Sequence, residues 1–463
     1  MPNATKASRA FDAIIVGAGQ AGPALAGRLT AAGQRVALIE RGRLGGTCVN
    51  TGCTPTKAMV ASAYAAQTAR RASAYGVPAG PVAVDLAAVV DRAQAVAAAS
   101  RGGLESWLSG MAGLELIRGH ARFTAPGVLD VDGQAITAPR IFLNVGGRPA
   151  RPAIAGVDAV PTLDSTAILS LRERPDHLIV VGGSYIGLEF AQMFRRFGSQ
   201  VTIVEAATRL IAREDEDVSA AIRELLEAEG VAVRTAATCI SLAPDPLGVS
   251  VGVDCAEGTP QIAGTHVLLA TGRRPNTDDL GLDLAGVETD ARGYIQVNDW
   301  LETTAPGVWA LGDVNGRGAF THTAWNDHEI VAANLLDGGN RRVDQRVPGY
   351  ALYIDPPLGR VGMTETQARA TGRPLLVSRR PMSRVARAVE KGETNGLMKV
   401  VADAETRQIL GAAILGVGGD EAIHGILDMM SAGQTIDALR WAVPIHPTVS
   451  ELIPTLLVDL QPA

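Results

Sequence analysis

The sequence predicts an α/β protein: two repeated, doubly wound βαβ halves followed by an α+β region. Three observations carry this expectation. A strand, glycine loop, helix and second strand occur twice with the same internal spacing. The chain has 463 residues, more than one hydrophobic core supports, and its 47% hydrophobic and 19% charged residues are those of an ordinary globular protein. From about Val347 the pattern changes to shorter, mixed elements.

The first copy opens with the apolar run Ala13-Ile14-Ile15-Val16. The loop Gly17-Ala18-Gly19-Gln20-Ala21-Gly22 follows, then a helical stretch to Gly33 and a second strand Val36–Ile39 that ends at Glu40. The second copy opens with Leu178-Ile179-Val180-Val181. Its loop is Gly182-Gly183-Ser184-Tyr185-Ile186-Gly187, its helix runs to Gly198, and its second strand Val201–Val204 ends at Glu205. Gly17 pairs with Gly182, Gly22 with Gly187, Gly33 with Gly198 and Glu40 with Glu205 at one constant offset.

Each landmark has a physical task. The first glycine permits the tight strand-to-helix turn, the second (Gly19) lets backbone approach a pyrophosphate, and the third lets the helix pack on the strand. Phosphates then lie at the positive helix N-terminus. The terminal glutamate accepts hydrogen bonds from ribose hydroxyls. Ser184 replaces the middle glycine in the second copy and is small enough to admit a dinucleotide. Both copies close alike, with Leu143-Asn144-Val145-Gly146-Gly147-Arg148-Pro149 and Leu269-Ala270-Thr271-Gly272-Arg273-Arg274-Pro275. Two dinucleotide sites imply two dinucleotides, and FAD with NAD(P)H is the economical pair. A carboxylate at Glu205 suits a free 2′-hydroxyl and repels a 2′-phosphate, which favours NADH; NADPH stays possible, and Arg209 nearby softens the preference.

Between the two copies lies Gly45-Gly46-Thr47-Cys48-Val49-Asn50-Thr51-Gly52-Cys53-Thr54-Pro55-Thr56-Lys57. Residues five apart on a regular helix are too far for a disulfide, so a Cys48–Cys53 bond requires a distorted segment, which Gly52 and Pro55 permit. Lys57 then falls one turn beyond Cys53 on the same face. A zinc site and two idle thiols are the alternatives; a structural zinc site wants four ligands, and no third or fourth Cys or His lies nearby. Cys239 and Cys255 read as small buried residues, and His322 and His328 as structural. The run Arg213-Glu214-Asp215-Glu216-Asp217 reads as the solvated opening of a helix.

Composition excludes several classes. A formal charge of −6 argues against a nucleic-acid partner. No apolar run of roughly 18 residues suggests a membrane span. Met1–Ala10 contains one Lys, one Arg and no apolar stretch, so no secretory leader is expected, and cytoplasmic residence follows from that and from the need for reduced nicotinamide.

The cysteine motif, both fingerprints, the segment Thr303-Thr304-Ala305-Pro306-Gly307-Val308-Trp309-Ala310-Leu311-Gly312-Asp313 and the C-terminal His446-Pro447-Thr448-Val449-Ser450-Glu451 together resemble the class I pyridine nucleotide–disulfide oxidoreductases over nearly the whole chain. That resemblance implies an FAD-binding domain at 1–147 with a helical insertion from Ala58 to Leu108. It implies an NAD(P)-binding domain at 148–272, a central segment at 273–346 that completes the FAD site, and an α+β dimerisation domain at 347–463. It also implies a homodimer. Cys53 would be the thiol beside the flavin, and Cys48 the interchange thiol that meets the acceptor. Lys57 would pair with Glu189 near the flavin, Tyr185 would gate the nicotinamide pocket, and Asp313 would hold the ribityl chain. His446, oriented by Glu451, would be the acid–base for Cys48 across the dimer. Gly46, Thr47, Gly146 and Gly272 are further cofactor-contacting candidates.

The acid–base pair also has its own chemistry: thiol–disulfide exchange needs a thiolate attacker and a protonated leaving group, and a histidine backed by a carboxylate supplies both. Within the family, the stretches around Cys53 and Asp355-Pro356-Pro357 look closest to mercuric-reductase-like members, with Tyr350 and Tyr353 as pocket candidates or packing residues. The ending Leu457–Ala463 carries no cysteine pair of the mercuric reductase kind. The expected activity is therefore NAD(P)H-dependent reduction of a small disulfide or soft metal ion. Dihydrolipoamide dehydrogenase and a quinone-reducing diaphorase are the alternatives.

Overall fold

The computed structural model describes residues 8–254 and 260–463; Met1–Ala7 and Cys255 lie outside them. Up to Leu336, the α-helices of the described residues are, in chain order, α1 (Ala21–Ala31), α2 (Gly46–Thr51), α3 (Cys53–Arg71), α4 (Leu86–Ser109), α5 (Tyr185–Phe197), α6 (Glu216–Ala228) and α7 (Thr321–Leu336). Among the described residues, no helix is long and apolar enough to cross a membrane. The chain divides into two compact units. Of the described residues, one comprises 8–58, Asp91–Ala150 and Gly272–Arg346, the other Met59–Val90, 151–254, 260–271 and Val347–Ala463.

The first unit is built on a five-stranded parallel sheet, ordered Val308–Ala310, Ile141–Leu143, Ala13–Val16, Val36–Glu40, Leu114–Arg118. Its central strand is buried on both faces, Ile14 and Val16 in one apolar cluster and Ala13 and Ile15 in another. A strand covered on both sides needs a continuous apolar run, as Ala13–Val16 provides. The edge strand Val308–Ala310 pairs in parallel with Ile141–Leu143, so the central segment completes the sheet of the N-terminal domain. The two closing loops meet directly: Gly147–Pro149 pairs antiparallel with Arg273–Pro275.

The second unit repeats the architecture with a four-stranded parallel sheet, ordered Ala232–Arg234, Gln200–Val204, His177–Val181, His266–Leu269. Helix α5 ends on Gly198, whose φ of 107° is the left-handed position a side chain resists. The C-terminal part adds a six-stranded sheet, antiparallel wherever neighbours pair, with its core formed by Met398, Val400, Ile414, Ile453 and Leu456 among others.

Two expectations are corrected here. The run Arg213–Asp217 does open a helix, with Asp215 as the N-cap of α6, but only Arg213 and Glu216 are solvated, while Glu214 and Asp215 are buried. The Glu214 side chain is fully buried against Arg360 and the Tyr350 hydroxyl. Lys399, 1% exposed, reaches Asp215 and Asp217 at 3.0 Å each and Glu365 at 2.7 Å. Desolvation would raise Asp215, but hydrogen bonds from Thr366, the Glu365 N–H and Lys399 hold it well below the usual carboxylate range. The acids therefore join the second parallel sheet's domain to the C-terminal sheet. Cys239 is exposed rather than buried.

Candidate active site

The first fingerprint turn is fixed by backbone packing. Gly17 has φ 102°, and a Cβ there would lie 2.3 Å from the Asn144 carbonyl oxygen; one on Gly22 would lie 2.3 Å from that of Gly17. The second copy repeats this at Gly182 (φ 114°), where a Cβ would meet Ala270 O at 2.5 Å, and at Gly187, where it would meet Gly182 O at 2.0 Å. The glutamates match as well. Glu40 accepts from the N–H of Ala18 at 2.8 Å and of Gly42 at 2.7 Å. Glu205 accepts from the N–H of Gly183 at 2.5 Å and of Ala207 at 2.7 Å. Each carboxylate is thereby held beside its glycine turn. Arg209 donates to the carbonyls of Ala212 and Glu214, 3.2 and 3.3 Å away.

The cysteine segment is stitched to the first turn. Gly45 N–H donates to Ala18 O at 2.9 Å and the Gln20 amide to Gly45 O at 3.1 Å. The Asn50 amide donates to the carbonyls of Leu44 and Gly46, at 2.8 and 2.9 Å. A Cβ on Gly46 would come 2.9 Å from the Gly19 Cα, so the two glycine backbones lie against each other. Cys48 sits in α2, the helix breaks at Gly52 (φ −138°, ψ −119°), and Cys53 begins α3 with Pro55 in its first turn. This is the distortion that the five-residue spacing requires.

The pair is electrostatically asymmetric. The Cys48 thiol donates a hydrogen bond to Cys53, which with lesser help from Thr321 and Lys57 lowers Cys53 to about 6, although burial opposes it. The same hydrogen bond, together with burial and the Cys53 charge, pushes Cys48 far up. In the reduced pair the charge is thereby favoured on Cys53 and the proton on Cys48.

Around the pair, Thr47 Oγ1 accepts from Arg273 at 3.3 Å, and Arg273 also donates to Gly147 O. Arg273 Nε lies 3.8 Å from Asp313 and has no hydrogen-bond partner although it is buried. Asp313 occupies a tight 3-10 turn, and desolvation raises it while Arg273 opposes. Asp327, 2% exposed, holds that turn by accepting from Gly312 N–H at 2.7 Å and the Asn315 amide at 3.0 Å. Gly146 and Gly272 have φ 63° and 125° in the two closing loops. Nothing lies within 4 Å of a Cβ built on either.

In the second unit Tyr185 is the first residue of α5, and Glu189, 4% exposed, accepts from Tyr353 N–H at 3.0 Å. Gln192 exchanges two 2.8 Å bonds with the Asp355 backbone, and Arg196 binds the Asp355 carboxylate at 2.6 Å. One face of the fingerprint helix thus clamps the Tyr353–Asp355 loop. His446 Nδ1 lies 2.8 Å from Glu451 Oε2, with the ring 74% exposed and the carboxylate 13%. His328 is buried with its ring edge-on to Trp325, and the exposed His322 stacks on Phe320.

The region 11–327 matches the family model described as pyridine nucleotide-disulphide oxidoreductase, and 348–457 that family's dimerisation domain. The chain belongs to this family. It is 37% identical to the probable pyridine nucleotide-disulfide oxidoreductase RclA of Escherichia coli over 95% of this chain and 97% of that one. It is 34% identical to a mercuric reductase of Streptomyces lividans, covering 97% and 96%. It is 36% identical to a dihydrolipoyl dehydrogenase of Thermus scotoductus, covering 96% of each. The solved structure of the HOCl-induced flavoprotein disulfide reductase RclA superimposes with a TM-score of 0.87 at 36% identity, over 97% of this chain and 99% of that one. The Cu(II) complex of that reductase gives 0.88.

The protein is an FAD- and NAD(P)H-using oxidoreductase, and its dimerisation domain supports a homodimer. Its own residues fit FAD in the first unit: two backbones without side chains at Gly19 and Gly46, an acid at Glu40, and the buried, unbonded Arg273 Nε beside Asp313. Sequence reasoning missed Arg273 and Asp327. Arg273 stood in the quoted closing loop, whereas nothing near Asp327 signals its role.

Proposed function

We propose that this protein is an NADH-preferring reductase that passes two electrons through the Cys48–Cys53 pair to a small disulfide or a soft metal ion. The observation that carries the reading is the placement of the pair, Cys48 and Cys53 on either side of the helix break at Gly52 in a segment packed on the first glycine turn, with the proton of the reduced pair favoured on Cys48. Bound FAD supplies hydride acceptance from the nicotinamide and delivery of the electron pair to the cysteines. Glu40, Thr47, Gly146 and Asp313 are the groups proposed to hold it, and Gly182, Tyr185, Gly187, Glu205 and Gly272 to hold the nicotinamide nucleotide. Lys57 and Glu189 are proposed to act beside the flavin.

With a disulfide acceptor, the reaction of the reduced pair balances as follows. Cys48, held as a thiol, needs a base before it can attack. His446, oriented by Glu451, takes that proton. The Cys48 thiolate attacks one acceptor sulfur, forming a mixed disulfide and releasing a thiolate that takes the proton from the imidazolium. The Cys53 thiolate then attacks Cys48, restoring the Cys48–Cys53 disulfide and expelling the second acceptor thiolate. A soft metal ion would instead be captured by the two sulfurs, whose polarizability suits it. RclA's Cu(II) complex and the mercuric reductases support that branch.

The exposed run Trp441 (77%), Val443 (95%) and Ile445 (79%) leads directly into His446. Such an apolar surface supports cover by a second copy, which would present His446 to the other subunit's cysteines. The test is anaerobic NADH oxidation by the purified dimer with oxidised lipoamide, glutathione disulfide, Hg(II), Cu(II) and a quinone in turn, repeated with Cys53→Ser. Turnover of a disulfide or metal ion that Cys53→Ser abolishes supports the proposal. Turnover that survives in Cys53→Ser overturns it in favour of a quinone reductase acting at the flavin.

A further inference from the structure

Helix α7 begins at Thr321, and its first turn is capped from within: Thr323 Oγ1 accepts from Phe320 N–H at 3.1 Å and donates to Phe320 O at 2.7 Å. The cap is therefore closed without Thr321. The Thr321 hydroxyl instead lies 3.5 Å from Cys53 Sγ, on a residue 268 positions earlier. We propose that Thr321 is a third member of the redox centre, a hydrogen-bond donor that holds the reduced Cys48–Cys53 pair in its thiolate form. The inference rests on the reading of that pair as the redox centre.

The direction of the bond follows from the protonation states. A thiolate has no proton, so toward it Thr321 must donate; toward a neutral thiol the hydroxyl is equally served as an acceptor. A bond that strengthens only when the sulfur is charged favours the charged form. The N-terminal N–H groups of the 16-residue α7 begin at the residue that touches the sulfur, and their positive end favours the same charge. Among the groups that shift Cys53 most, the titratable ones are Cys48 from α2 and Lys57 from α3. Thr321 is the contribution from α7 and does not titrate, so its effect is a constant offset on their equilibrium. Cys48 feels the same hydroxyl, which keeps the bond available when the charge moves between the two sulfurs.

Thr321→Val keeps the shape and removes the hydroxyl, while Thr321→Ser keeps the hydroxyl. The reduced holoenzyme of each is pulsed with iodoacetamide across pH, and the Cys53 peptide is quantified by mass spectrometry. Long-wavelength charge-transfer absorbance is followed in parallel after reduction with one equivalent of NADH. The wild-type thiolate should form with a midpoint of about 6. Thr321→Val should raise that midpoint by about one unit, a tenfold change in the thiolate equilibrium, or ~1.4 kcal/mol. Thr321→Ser should restore it. Superimposable Val and wild-type curves overturn the proposal, as does a Ser variant displaced as far as Val, which would mean packing rather than the hydroxyl. Alkylation needs no turnover, so this result is independent of the Cys53→Ser acceptor test, which judges the underlying reading alone.

Discussion

Replacing Glu451 with Gln should separate disulfide turnover from every other activity of the enzyme. Glu451 accepts from the His446 ring at 2.8 Å and is 13% exposed. The turn that carries both does not depend on this charge: the Thr448 hydroxyl donates to Ile445 O at 2.7 Å and accepts from Glu451 N–H at 3.2 Å. Glu451→Gln therefore leaves the turn standing and removes one charge-assisted bond to the imidazolium, worth ~1.5–3 kcal/mol. The ring is 74% exposed in the single chain, which places the loss nearer the lower figure. Since ~1.4 kcal/mol is tenfold in rate, kcat with a disulfide acceptor should fall about 10- to 100-fold. Quinone reduction, which needs no proton on a leaving thiolate, should stay within about twofold. Steady-state rates with both acceptors, on one preparation of matched FAD content, give the comparison. Equal losses with the two acceptors, or no loss with the disulfide, would refute the acid–base role of the pair.

Lys399→Met removes the buried counter-charge shared by Asp215, Asp217 and Glu365, while Arg379 still binds Asp217 and Arg369 still binds Glu365, each at 2.7 Å; a broken buried ion pair costs ~3–5 kcal/mol, and the retained arginines place this loss at the lower end. All three carboxyls are held below their ordinary range in the folded protein, so the stabilisation is fully present above that range. The thermal midpoint of the variant should accordingly lag most at neutral pH, with the gap closing as pH falls through the carboxylate range toward the depressed values; a gap independent of pH would contradict the electrostatic account. Glu205→Ala removes the carboxylate that accepts from Gly183 and Ala207 N–H. The ratio of kcat/KM for NADPH over NADH should rise about tenfold, chiefly through KM, and an unchanged ratio would place selectivity elsewhere.

The repeat was legible because its chemistry is local. A strand of four apolar residues, a glycine forced to positive φ and an acid at the end of the next strand are dictated over some two dozen residues, and Gly17 through Glu40 and Gly182 through Glu205 fold as written. The cysteine motif was legible for the same reason, since Gly52 and Pro55 announce the break that separates Cys48 from Cys53. The charge run at 213–217 was misread because burial is not local. The helix opening was correct, but Arg360 and Lys399, well over a hundred residues away, cover Glu214 and Asp215. Cys239 was misjudged because it lies in the bend between the strands Ala232–Arg234 and Ser241–Asp245 rather than in a strand, and the bend faces water.

By itself, then, the sequence determined two dinucleotide folds, their order, and a reactive cysteine pair between them, because backbone geometry and residue spacing carry that information within single elements. Only the tertiary structure decided which distant groups bear on those sulfurs. Thr321, at the start of α7, comes within 3.5 Å of Cys53 although it lies 268 positions further along the chain, because hydrogen bonds and Coulomb forces act over a few ångströms of space whatever the distance along the chain.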